Sequence, residues 1–449
     1  MQPTHRAGTG LAARALRGSA LTVGGFAMAN ALRLGSNLIL ARLLFPEAFG
    51  LMALVTVLLV GLAMFSDIGL TPAIQGSKRG DDPAFLGTAF TLQIARGVLV
   101  AAAAALLAWP MAQFYGEPLL LPLILASALN PFIMGFVSIR KETAQRHLML
   151  GRVTVLELTA QVVGLIVSVG LAWATGSVWA LIFGALAASL AQVLGSWTLL
   201  AGPSPRPRLE RAAAGELIGF GKWIFLSTIA GFLALQSDKL VLGRYLSMGE
   251  LGIYNIAFFL ASFPLLLGHA VNSRLMVPIY RETRPGTQAA SDRRLRRIRL
   301  ALTGFMLALT LPLVLGGAWL VDVLYDDRYA AAGSLLVLLA LAQGVQMIGL
   351  TYDQGALAAG DSRGFFLVTA VRGGATVLAL LLAVPALGAP GAALALALAA
   401  LLAYPLQLRL ARRHRVWHPA HDALTVLALL ILGALALALH GLPLAGQSP

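Results

Sequence analysis

Ala41-Arg42-Leu43-Leu44-Phe45-Pro46-Glu47-Ala48-Phe49-Gly50-Leu51 aligns without a gap with Gly243-Arg244-Tyr245-Leu246-Ser247-Met248-Gly249-Glu250-Leu251-Gly252-Ile253. Arg42/Arg244, Leu44/Leu246 and Gly50/Gly252 are identical, while Phe49/Leu251 and Leu51/Ile253 match in kind. Each stretch follows one long apolar segment and precedes another. A short arginine-bearing turn that occurs twice, about 200 residues apart, implies a chain of two equivalent halves. Outward from it the match recurs at slightly larger offsets. Trp109 through Tyr115 and Glu117 correspond to Trp319 through Tyr325 and Asp327, and Arg152 to Arg363. Between the halves lies Pro203-Ser204-Pro205-Arg206-Pro207-Arg208, where proline stops helix and arginine keeps the segment in water.

The segments flanking these turns read as membrane spans. Apolar residues make up 58% of the chain and charged residues 12%, a balance that ordinary soluble domains do not show. The apolar runs are about 20 residues long, enough to cross about 30 Å of hydrocarbon. Spans are expected near 19–41, 49–74, 85–109, 119–139, 153–174, 178–201, 217–243, 251–279, 300–324, 331–359, 364–384, 390–408 and 423–442. The domains are then 1–202 (six spans), a linker at 203–214, 215–410 (six spans), and 411–449, a basic loop with an extra span. The expected fold is an all-α polytopic membrane protein with two parallel six-helix lobes around a central cavity, plus that helix.

Loop charge orients the chain. Arginine and lysine crowd alternate loops: Arg6, Arg14 and Arg17; Lys78 and Arg79; Arg140, Lys141, Arg146 and Arg152; Arg206, Arg208 and Arg211; the stretch Arg281–Arg299; Arg363; and Arg409, Arg412, Arg413 and Arg415. The opposite loops hold Arg42, Arg244 and Arg328. Basic loops stay inside, so the N-terminus is expected in the cytoplasm and the C-terminus outside. The net charge of +14 then reports topology and a grip on anionic lipids, and it argues against nucleic acid as a partner. Arg14 and Arg17 before an apolar stretch ending Ala27-Met28-Ala29 resemble a signal peptide, but the repeat favours a retained first span.

Polar residues at membrane depth are the candidate site. On the first span Asn30, Arg33 and Asn37 share one helical face, a stripe unsuited to lipid. Arg96 and Gln93 share a face of the third span, Glu157 and Gln161 one of the fifth, and Arg372 aligns with Gln161 across the repeat. Asp67 precedes a Gly69-Leu70-Thr71-Pro72 break. Arginines beside a few carboxylates suit an anionic substrate and a coupling cation, with Asp67 and Glu157 as ion-coupling candidates. The competing reading is internal pairing, such as Asp67 with Arg33 or Arg96, with the asparagines joining helices. Asp238 and Lys239 are expected at a span end where lysine snorkels, His269 as a helix-to-helix hydrogen bonder, and Arg281–Arg299 as a solvated connector. The sequence contains no phosphate-binding Gly-x4-Gly-Lys-Ser/Thr loop, no His-Glu-x-x-His and no Gly-x-Ser-x-Gly, so no ATP engine, metal centre, cofactor or catalytic elbow is expected.

The pattern Asn37-Leu-Ile-Leu-Ala-Arg42-Leu-Leu-Phe-Pro46-Glu-Ala-Phe-Gly50, followed by Phe65-Ser-Asp67-Ile-Gly69-Leu70, resembles the polysaccharide-exporter branch of the multidrug/oligosaccharidyl-lipid/polysaccharide transporter superfamily. The O-antigen and colanic-acid type of lipid-linked oligosaccharide flippase is the most similar subgroup, over roughly residues 15–410. That resemblance implies alternating access and movement of undecaprenyl-pyrophosphate-linked oligosaccharide to the outer leaflet of the inner membrane, driven by a proton or sodium gradient. It also implies a link to polysaccharide polymerase machinery, and substrate contact for basic cavity residues, here Arg33, Arg96 and Arg372. Other readings are a cation-coupled multidrug antiporter, disfavoured by the interior arginines, a lipid II flippase, and a polysaccharide polymerase or ligase, disfavoured by short outward loops. Arg42 and Arg244 are expected as outward hinge or headgroup anchors.

Overall fold

The computed structural model describes residues 7–202, 206–283 and 289–440. Arg6, Pro203, Ser204, Pro205 and Arg284 lie outside these residues, as do the side chains of Arg14, Arg17 and Arg281. Among the described residues all regular structure is helical. Eight helices are long and apolar enough to span a bilayer, or nine if the 46° bent pair Met248–Ala261 and Phe263–Ser273 is one span. This is a multi-pass, all-α membrane protein.

Two compact units divide it, one of Met1–Phe45 with Val55–Thr228 and the other of Pro46–Leu54 with Ile229–Pro449. In the first unit α1 (Ala7–Leu43) packs on α8 (Leu150–Thr175). A Cβ on Gly25 would come 2.2 Å from the Thr154 side chain, and Gln161 Nε2 donates to the Ala29 carbonyl at 3.0 Å. Gly373, next to the residue that aligns with Gln161, meets the Ala230 carbonyl of α10 (Arg211–Tyr245) in the second unit. The repeat read in the sequence therefore recurs as a helix pairing.

Thirteen expected spans and eight or nine qualifying helices differ for three local reasons. First, α1 carries Asn30, Arg33 and Asn37, which lower its hydropathy, and the span expected at 217–243 includes residues 218–227, whose side chains lie outside those described. Second, Leu120–Met134 is short, broken into α5 (Leu120–Ser127) and α6 (Leu129–Met134). Third, α16 (Ser362–Arg413) counts as one helix, although at 52 residues it would be about 78 Å long if straight. It doubles back instead. Gly388 sits at φ 60°, ψ −140°, a conformation essentially reserved for glycine, in the gap between the expected spans 364–384 and 390–408. The two ends consequently meet: Asp361 accepts from His414 Nε2 at 2.9 Å, and a Cβ on Gly364 would touch Leu410.

The duplicated turns pack against each other within the second unit. α2 (Pro46–Phe65) and α11 (Met248–Ala261) approach through their first turns. A Cβ on Gly50 would lie 1.9 Å from the Met248 carbonyl oxygen, and one on Gly252 would lie 1.9 Å from that of Pro46. Pro46 and Met248 are themselves aligned positions, so the contact is reciprocal. Only hydrogen in place of a side chain lets the two backbones come this close.

The basic loops also do local structural work. Arg146 Nη1 donates to the carbonyls of Ile74, Gln75 and Ser77 at 2.8, 2.8 and 2.9 Å, closing the end of α3 (Leu70–Gly76). Arg140 Nη1 does the same for Trp197 and Leu200 at the end of α9 (Trp179–Thr198). Cations at carbonyl-rich helix ends are favoured by the unpaired C=O groups and the helix dipole. Residues 206–209 of the linker are exposed, yet the segment is strapped down. Arg208 N donates to Thr91 Oγ1, Glu210 N to Thr88 Oγ1, and Arg79 binds both Asp82 and Glu210.

The stretch expected as a solvated connector is corrected at its end. Among the described residues α13 (Ala289–Leu324) takes in the end of this stretch, and Arg299 is only 2% exposed. Arg299 donates to the Val416 carbonyl and the Tyr280 hydroxyl, and its guanidinium lies over the Tyr280 and Tyr352 rings. A low-apolar sequence concealed this because an arginine buried among aromatic faces and carbonyls reads like any other loop arginine.

Candidate functional site

In the first unit the candidates fall into small structural sets. Asn30 Nδ2 donates to the Phe26 carbonyl of its own helix, Arg33 is exposed, and Asn37 is half-buried. Arg96 on α4 (Pro83–Tyr115) donates to Ser66 Oγ at 3.1 Å and to the Ala63 carbonyl at 2.7 Å, completing the last turn of α2. Asp67 stands 3.9 Å from Arg96 and accepts from Gly69 N at 3.0 Å, shaping the left-handed turn into α3. Gln93 donates to the carbonyls of Gly135 and Val137 at 3.0 and 2.8 Å, where the chain leaves α6. Glu157 pairs with Lys141 at 2.8 Å and is half exposed. Asn30, Arg96, Asp67, Gln93 and Glu157 each have a partner on a neighbouring turn or helix, whereas Asn37 Oδ1 is buried without one. The structure does not gather them around one point.

Outside the spans, Asp81 is held below the usual carboxylate range chiefly by its hydrogen bond to the His147 ring at 2.7 Å, with Arg146 adding to it. This network joins the loop after α3 to α7 (Arg140–Arg146) and belongs to the clamp on the helix ends.

The second unit concentrates its polar residues more tightly. A cavity of about 120 Å³ is lined by Gln346, Arg372, Tyr404 and Gln407, with Ile348 and Val426 among its apolar walls. Arg372 Nη2 lies 3.5 Å from Asp353 Oδ2. Gln407 Nε2 holds Asp353 Oδ1 at 2.6 Å and also donates to the Gly349 carbonyl. Asp353, on α15 (Leu350–Ala358), was not among the expected carboxylates. Its signal was present as the only acid in the apolar run 331–358, but it stood close enough to the run's end to pass for an interfacial residue.

Of two further clusters, sequence reasoning misplaced one and missed the other. Asp238 and Lys239 are 3% and 8% exposed, not interfacial. Lys239 Nζ bonds both Asp238 oxygens at 3.0 and 3.2 Å, Tyr254 Oη donates to Asp238 at 2.8 Å, and the ammonium sits 4.1 Å from the Phe258 ring centre. Burial of such a charge requires this full set of partners. The second cluster anchors α17 (Pro419–His440): Asp422 accepts from Tyr352, Tyr404 and Trp417 and bonds His421. Val426 of the same helix lines the cavity, so the extra span is part of the second unit's interior rather than an appendage.

Arg42 and Arg244, in the last turns of α1 and α10, are both exposed, while Gly50 and Gly252 are buried in their reciprocal contact. Trp109 and Trp319, matched across the repeat, are 62% and 67% exposed, as suits aromatic side chains at a membrane border.

A multi-pass helical protein with polar side chains buried inside two repeated units has the build of a membrane transporter. Residues 39–333 match the polysaccharide biosynthesis protein family, and the chain belongs to that family. It is 27% identical to the succinoglycan biosynthesis transport protein ExoT of Rhizobium meliloti (strain 1021), over 68% of this chain and 62% of that one. It is 24% identical to the lipopolysaccharide biosynthesis protein WzxC of Escherichia coli (strain K12), over 63% of this chain and 59% of that one. The chain thus spans less than two thirds of the length of these relatives. Among solved structures its fold is similar to the lipid II flippase MurJ in an inward closed conformation, with TM-score 0.67 and 11% identity over 94% of this chain and 99% of that one. An inward-facing multidrug resistance MATE family transporter gives TM-score 0.61 and 12% identity over 90% and 96%.

Proposed function

We propose that this protein is a non-enzymatic flippase that carries a polyprenyl-pyrophosphate-linked oligosaccharide from the inner to the outer leaflet of the cytoplasmic membrane for polysaccharide biosynthesis. The observation that carries the reading is the family match over residues 39–333, on a fold shared with solved flippase and transporter structures. The names of the relatives, a succinoglycan transport protein and a lipopolysaccharide biosynthesis protein, support a polysaccharide precursor as substrate. Arginines at membrane depth fit that class, since a guanidinium stays charged and matches phosphate oxygens in a fork. Residues 1–202 and 215–410 act as two halves joined by the 203–214 linker, with the N-terminus in the cytoplasm, the C-terminus outside and basic loops against anionic lipid. A polysaccharide polymerase receives the flipped product. Arg33 on the first half and Arg372 on the second contact the pyrophosphate, and a carboxylate couples the step to an ion gradient.

The test is flipping in proteoliposomes loaded with a defined lipid-linked oligosaccharide, with and without an imposed proton or sodium gradient. Protein-dependent appearance of the glycan on the opposite leaflet is expected. Absence of flipping under every gradient, together with normal surface polysaccharide in a deletion strain, would overturn the proposal.

A further inference from the structure

The ion pair beside the second unit's cavity is built unevenly: Arg372 lines the cavity and Asp353 stands behind it. Asp353 is fixed through one oxygen by Gln407 at 2.6 Å, whereas Arg372 reaches its other oxygen through a single nitrogen at 3.5 Å. Arg96 in the first unit, by contrast, is spent on Ser66 and a helix carbonyl. Arg372 also faces a space of about 120 Å³, the room of about four water molecules or one phosphate group. Gln346 adds an amide to this wall, and Tyr404 is turned to Asp422. The arrangement is a guanidinium with spare donors beside an anion-sized space and a carboxylate that stays in place without it.

We propose that Arg372 exchanges Asp353 for a phosphate oxygen of the carried pyrophosphate, and that Asp353 takes up a proton from water as it is displaced. This rests on the transport reading above and names the residues that would couple it. A phosphodiester oxygen pair offers the guanidinium fork two acceptors where Asp353 gives it one long contact. With Arg372 gone, Asp353 keeps the Gln407 amide as its hydrogen-bond partner at 14% side-chain exposure, and the proton takes the place of the departed cation. No covalent bond changes: one proton moves from solvent to Asp353 Oδ2, and it leaves when the phosphate departs and Arg372 returns.

The neighbours allow this exchange. α14 (Ala331–Met347) has no titratable side chain. α12 (Phe263–Thr283) presents His269 and Tyr280, both within electrostatic reach of Asp353. α16 presents Arg372 itself. On α15, Tyr352 is committed to Asp422, and Arg299 from α13 is committed to Tyr280 and Val416. His269, exposed on α12, is the imidazole within electrostatic reach of Asp353, so it is the necessary control.

The test is calorimetric binding of a short-chain prenyl pyrophosphoryl-N-acetylglucosamine to the full-length protein in detergent. Both phosphates of this probe are diesters, so its own charge is constant across the assay. Titrations between about pH 6 and 8, in two buffers of different protonation enthalpy, count the protons bound with the ligand. Wild type should take up close to one proton, and its affinity should weaken toward about tenfold per pH unit on the alkaline side. Asp353→Asn should bind at least as tightly, with uptake near zero and a flat pH profile. Arg372→Gln should weaken binding at least about tenfold and Arg372→Lys should restore part of it. His269→Gln should keep the wild-type uptake. Binding by wild type with no proton uptake would overturn the proposal without any variant, as would wild-type uptake in Asp353→Asn. Failure of wild type and Asp353→Asn alike to bind the probe would overturn the transport reading itself, and this inference with it.

Discussion

Gly50 and Gly252 show how much one residue decides here. Their repeat was visible, but their purpose was not, because a sequence does not say what a missing side chain makes room for. Each faces the other motif's carbonyl at a distance no Cβ tolerates. Gly252→Ala should therefore force the starts of α2 and α11 apart and cost about 1–3 kcal/mol. The check is thermal unfolding of the purified variant in detergent; an unchanged midpoint would show that the contact is dispensable. The same limit applies to the polar candidates. Asn30, Gln93, Arg96 and Gln161 were recognisable as polar groups in apolar surroundings, since burial of such groups is expensive wherever it occurs. Whether each faces substrate or a neighbouring carbonyl depends on which backbone lies opposite. For Gln93 and Gln161 those are carbonyls 42 and 132 residues away in the chain.

At the scale of the element, the extra helix changes most in meaning. The repeat made α17 look unpaired, and nothing in Pro419–His440 alone says where its polar first turn docks. In the structure Asp422 gathers three hydroxyl or indole donors and a histidine, tying α17 to α15, α16 and Trp417. Asp422→Ala would leave those donors without an acceptor, a loss on the order of 1–3 kcal/mol per stranded group. Hydrogen exchange should then rise across 419–440 before the rest of the protein, and uniform protection in the variant would refute an anchoring role. The hairpin in α16 was more legible. Pro385, Gly388 and Pro390 punctuate the apolar run, and the reversal falls at the glycine because only that residue adopts its backbone angles cheaply.

For the whole molecule, orientation is the testable consequence of loop charge. The chain has no cysteine, so single substitutions report their side of the membrane without background. Lys78→Cys and Arg412→Cys should react with an impermeant thiol reagent only from the cytoplasmic face, and Thr175→Cys and Tyr245→Cys only from the opposite face. Labelling of both sets from one side would overturn the topology. The loop arginines that set this orientation also close helix ends, as Arg140 and Arg146 do, so one charge distribution serves insertion and local structure. Sequence by itself determined the membrane class, the duplicated plan, the resemblance that the family match now supports, and the residues that needed an explanation. These depend on composition and on periodic burial, and both are written along the chain. Only the tertiary structure decided that the duplicated glycines face one another, that Arg299 and the Asp238–Lys239 pair are buried, and that Asp353 pairs with the cavity-lining Arg372. Those facts depend on which distant backbone or ring occupies the space opposite a side chain, and in a low-dielectric interior that neighbour determines whether a charge is held or left available.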